Sequence, residues 1–196
     1  SPQAPSVYVA TFDGRDARGV PYVTNFSTAV GPTDSLTSRP IDLSAVSPSD
    51  SLVLSFFYQA KGIGEAPDQE DSLILEVRTR QAEWKTIWRA PETNSLDFSL
   101  VLLPLSDDSF FHADFQFRFR SFGRQTGPFD TWSVDYIYLD TQRDAQRSFF
   151  PDIAISSIQT SLLKGYQSVP YLTFISNHSR YLADSLTFSV RNLRQF

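Results

Sequence analysis

Residues 115–122, Phe-Gln-Phe-Arg-Phe-Arg-Ser-Phe, decide how the rest of this chain is read. Phe115, Phe117 and Phe119 alternate with Gln116, Arg118 and Arg120, a period of two that places the phenylalanines on one side of a strand and the charges on the other. Working outward, Ser133–Leu139 (SVDYIYL) alternates again, with Val134, Tyr136 and Tyr138 expected opposite Asp135, Ile137 and Leu139. Asp71–Arg80 (DSLILEVRTR) turns Leu73, Leu75 and Val77 to one face. Ala82–Arg89 turns Trp84, Thr86 and Trp88 to one face, Phe98–Pro104 reads as a further strand, and Ser51–Ala60 is apolar on both faces.

Turn signals separate these runs at Gly31-Pro32, Ser47-Pro48, Gly62–Asp68, Pro91–Asn94 and Gly123–Pro128. Helical periodicity is nearly absent. Short strands at this spacing predict an all-β fold, a jelly-roll or sandwich in which two sheets bury alternate residues against each other. With 17 phenylalanines and 41% hydrophobic residues among 196, the chain has the apolar side chains for a sizeable core. The pattern breaks at Thr141–Pro151. The expected organisation is therefore a sandwich over 1–145, a linker at 146–151, and the incomplete start of a second, Ig-like β-sandwich over 152–196. In that second region strands are expected at Ile153–Ile158, Tyr171–Ser176 and Leu186–Val190, with a helical turn at Ser161–Tyr166.

Composition excludes several chemistries. Without cysteine there is no disulfide, no thiolate metal site and no cysteine nucleophile. A net charge of −5, with its 17 Lys and Arg scattered, argues against nucleic acid and anionic lipid as partners. No apolar run reaches the roughly 18 residues that would predict insertion in a membrane. Ser1-Pro2-Gln3-Ala4-Pro5 reads as the start of an exported protein whose signal peptide has been removed, or as an artificial boundary. His112 and His178 are the only histidines, both expected on loops, and no Gly-x-Ser-x-Gly is present. A catalytic triad needs a positioned base and a carboxylate to orient it, so no enzyme activity is expected. Carboxylate pairs of the glycosidase kind can always be found among 22 acids and mean nothing alone.

The stretch 115–122, followed by Gly127 and then by Asp130-Thr-Trp132-Ser-Val-Asp135-Tyr-Ile-Tyr-Leu139, resembles the end of the jelly-roll domain in large surface proteins of the Bacteroidetes, and is similar to the ending of MAM domains. Phe12-Asp13-Gly14 and Trp84–Trp88 fit the same pattern. Asp152-Ile-Ala, Ser161-Leu-Leu-Lys164, Tyr166 and Val169-Pro170 are similar to the linker and second domain of those proteins. The resemblance implies an extracellular or cell-surface location, often by type IX secretion, and work as a non-catalytic adhesion, scaffold or interaction module within surface, secretion or gliding-motility assemblies. Its partners would be other proteins of such assemblies, or glycans.

Three sets of residues follow as candidates. In many jelly rolls a structural calcium ties the first strand to the last, which by analogy nominates Asp13 and Asp135. Carboxylates suit that ion, although Asp13-Gly14 also reads as a plain turn. Trp84 and Trp88, four residues apart on one strand, would share a face about 13 Å apart. Exposed, they would form a platform for sugar rings and make the chain a carbohydrate-binding module; buried, they are core. Asp-Ser-Leu occurs at 34–36, 50–52, 71–73 and 184–186. It reads either as local capping at strand entries or, since it resembles the acceptor pattern for O-glycosylation of exported Bacteroidetes proteins, as modification at Ser35, Ser51, Ser72 and Ser185.

Overall fold

Phe115 and Phe119 are fully buried, and Phe117 packs against the same cluster. The side chains that surround them come from two sheets. The computed structural model describes residues 4–61, 64–91, 97–143 and 152–192. Eight strands fall in the first three of these segments: β1 (Ala10–Phe12), β2 (Val30–Thr37), β3 (Val53–Ala60), β4 (Ser72–Arg78), β5 (Trp84–Arg89), β6 (Ser99–Pro104), β7 (Phe117–Arg124) and β8 (Trp132–Asp140). They form two four-stranded antiparallel sheets, ordered β1-β8-β3-β6 and β2-β7-β4-β5. The fold is all-β.

One hydrophobic cluster joins the sheets. β3 contributes Leu54, Phe56 and Tyr58, and β4 contributes Leu73, Leu75 and Val77. Phe56 meets Phe119 edge to face at 4.8 Å, an arrangement aromatic quadrupoles favour. This is sandwich packing: alternate residues of each sheet turn inward and interdigitate.

β2 and β8 depart from the expected pattern. The Gly31-Pro32 turn is not a turn; both residues lie inside β2. Pro32 lacks the N–H a central strand needs, and it is accommodated because β2 is an edge strand whose register with β7 shifts between Pro32 and Ser35. In β8, alternation fails at Tyr136. Val134 belongs to the core, but so do Ile137 and Leu139, which were expected on the opposite face. A bulge between Ser55 and Phe57 of the β3 ladder, with Tyr136 at φ 49°, inserts the extra residue that changes the phase.

The chain divides into two compact units between Ser148 and Phe149, with Pro5–Val7 joining the second. The linker expected at 146–151 lies outside the described residues. In the second unit, β9 (Ile153–Ile158) pairs antiparallel with β10 (Phe188–Asn192). Between them lie two short helices, α1 (Tyr171–Ser176) and α2 (His178–Tyr181). Tyr171–Ser176 is therefore helical where a strand was expected, and Ser161–Tyr166 forms no helix. Six residues rich in aromatic and β-branched types read equally as a short strand, and Pro170, at φ −57° directly before α1, starts the turn.

Candidate functional site

The two histidines stand in different surroundings. The backbone N–H of Asp114 donates to His112 Nδ1 at 3.2 Å, which leaves the proton on Nε2, and Nε2 donates to the Arg78 carbonyl at 3.1 Å. Both ring nitrogens are thus committed to main chain. His178 is exposed at the start of α2.

The tryptophan pair does not form a platform. Trp88 lies opposite Leu75 and Thr86 opposite Glu76, so Ile87 is an extra residue in β5. This bulge puts the two tryptophans on opposite faces, against the expectation that they share one. Trp88 points inward and meets Phe56 and Tyr58, each at 5.0 Å. Trp84 lies opposite Arg78 on the outer face, where the Arg118 guanidinium covers its ring at 4.0 Å.

Asp13 and Asp135 are also separated. β1 pairs with β8 so that Phe12 faces Trp132, which puts Asp13 beside Thr131, about 13 Å of strand from Asp135. One ion does not reach both. Asp135 is buried and accepts the Tyr136 N–H at 2.7 Å. Among the described residues, the carboxylates that do converge are Asp68, Asp71 and Asp130, whose oxygens lie within 4.8 Å of one another. The Asp68 N–H donates to Asp71 at 2.6 Å and the Arg124 N–H to Asp130 at 2.6 Å. Burial, the hydrogen bond to Asp130 and its negative charge push the Asp71 carboxyl up to about 6, so below that pH the cluster relieves its charge by holding a proton and above it all three carboxylates stand ionised together.

The four Asp-Ser-Leu serines divide by exposure. Ser35, Ser51 and Ser185 are exposed, whereas Ser72 is buried at the start of β4. Asp34-Ser35-Leu36 lies inside β2, so strand-entry capping does not account for that copy.

Sequence reading missed the outer face of the second sheet. Registers there place Thr37, Arg118, Glu76 and Thr86 in one row across the strands, and Ser35, Arg120, Ile74 and Arg89 in the next. Pro32, Phe122 and Ser72 make a third. Glu76 is only 7% exposed and is held by Arg118 at 2.6 Å, with Arg120 farther away at 3.5 Å. A cavity of about 310 Å³ opens beside the second row, lined among others by Glu70, Ile74, Arg89, Arg120 and Phe122. The alternation of β7 announced the arginines, but only the strand order brings Arg89 to them.

The second unit carries a different surface. Ile158 faces Phe188 and Ile155 faces Val190, with Ser156 unpaired at a bulge between them. The bulge keeps Ile153, Ile155, Ile158, Phe188 and Val190 on one face, because without it Ile158 would fall out of phase with the other two isoleucines. All five are exposed, Ile158 the most at 70%. No protein-family model matches the chain, and no curated protein matches it.

Proposed function

We propose that the chain is a non-catalytic interaction module of an exported bacterial surface protein, of the kind displayed in secretion or gliding assemblies. The observation that carries the reading is the apolar face of β9 and β10. Five large side chains lie side by side on a two-stranded ribbon, and two strands alone cannot bury them. Contiguous apolar surface of this kind marks a protein-binding site. The backbone commitments of His112 and the mutual packing of the two sheets support a scaffold role for the first unit.

The test uses the labelled full chain on intact cells of its source. Saturable retention at the surface is expected, and Ile155→Asp with Val190→Asp abolishes it while leaving the circular dichroism of the sandwich unchanged. Retention that survives the double substitution would show that this face is not the contact. The same reading places O-linked sugar on Ser35, Ser51 or Ser185, and an intact mass of native protein without added hexose removes that part of it.

A further inference from the structure

We propose that the outer face of the β2-β7-β4-β5 sheet binds an acidic saccharide, seating a sugar carboxylate between Arg89 and Arg120. This goes beyond the interaction role and uses a different surface. The chain is acidic overall, with 22 Asp and Glu against 17 Lys and Arg, yet this face gathers Arg78, Arg89, Arg118 and Arg120. Glu76 is the one carboxylate in its rows, and its closest ion pair is with Arg118. The Arg120 side chain makes only the 3.5 Å contact to Glu76, and among the described residues no hydrogen bond or ion pair holds the Arg89 side chain.

Arg120 and Arg89 flank Ile74 from the strands on either side of β4, so their backbones stand two strand spacings, about 10 Å, apart. Their long side chains both line the cavity. An anion between them receives planar, charge-assisted hydrogen bonds from two sides. Ile74 and the 40%-exposed ring of Phe122 add an apolar surface next to that charge, and Glu70 offers acceptors for hydroxyls. A carboxylated sugar joins the same three features in one ring: an apolar C–H face, an anionic group and hydroxyls. Its volume suits a cavity near the lower limit of ligand sites, about 300 Å³.

Strand order favours the saccharide over an acidic peptide. The cavity opens on the face of the sheet, over β7, β4 and the side of β5 that pairs with β4, and not along the outer edge of β5. A peptide that binds by adding a strand needs a free edge, and here only side chains can read the ligand.

The experiment titrates the full chain calorimetrically with a short oligogalacturonate, a neutral cello-oligosaccharide and a poly-glutamate peptide. Binding of the uronate alone is expected, weakening with added salt. Arg89→Gln and Arg120→Gln each reduce it roughly tenfold or more. Arg89→Lys, which keeps the charge but loses the planar fork, reduces it less, and Arg39→Gln, an exposed site elsewhere, leaves it unchanged. Thermal melts confirm that each variant is folded. Absence of uronate binding, equal binding of the neutral sugar or of poly-glutamate, or glutamine variants that bind like the wild type would overturn the proposal. None of these outcomes bears on the β9–β10 face.

Discussion

Asp71 shows how one carboxyl couples this fold to pH. Its value rises from 3.8 to about 6 in the folded chain, chiefly because burial penalises the charge. Between those values the native state holds more proton than the unfolded chain, so the stability linked to Asp71 is full below about pH 4 and is lost as pH rises through about 6. Asp71→Asn therefore raises the melting temperature at pH 7 and flattens its pH dependence across that window, which melts at pH 4, 5, 6 and 7 would record. The tryptophans give a second contrast. Trp88→Ala opens a void against Phe56 and Tyr58 and costs about 3 kcal/mol in denaturant unfolding, while Trp84→Ala costs no more than about 1 kcal/mol for its lost arginine contact. Equal costs would mean that the bulge in β5 is misplaced.

At the scale of the element, the alternation of β7 was legible, because Phe, Arg, Phe, Arg is a two-residue period with no competing signal, although the strand runs Phe117–Arg124 and so takes in Gly123 and Arg124, which read as a turn. Five further strands of the sandwich and β9 followed from alternation or from apolar runs between flanking turns. What alternation does not reveal is a bulge. Ile87, Tyr136 and Ser156 look like ordinary strand residues, and the extra residue exists only relative to the partner strand. That is why the faces of Trp84 and Trp88, and of Ile137 and Leu139, were misjudged, and why the apolar face of β9 went unseen. The arginine face was hidden for a related reason: Arg89 and Arg120 are 31 positions apart and meet only through the order of strands. Tight turns yield a prediction of their own. Ala82 sits at φ 63° in the turn between β4 and β5, where its N–H donates to the Thr79 carbonyl. A Cβ is unfavourable in that left-handed region, so Ala82→Gly stabilises the sandwich by about 0.5–1 kcal/mol in denaturant unfolding.

Across the whole molecule, burial is unevenly shared. Among the described residues, the buried cluster lies wholly between Phe12 and Val134. The second unit keeps its apolar face in solvent and holds its ladder through one strand pair. Amides of β3, β4 and β7 are expected to exchange only through global opening, and those of β9 and β10 orders of magnitude faster by local opening. Hydrogen exchange read by NMR or mass spectrometry checks this, and uniform protection across both units would contradict it.

Pro32 has a consequence for the fate of the protein at high concentration. The outer edge of the second sheet is a row of main-chain groups that an identical molecule could extend into a growing stack, the route by which β proteins form fibrils. Proline removes one donor from that row, and the irregular register beside it bends the strand out of line. Pro32→Thr would restore a continuous template, shortening the lag before thioflavin-positive fibres form on prolonged incubation while barely changing the unfolding midpoint.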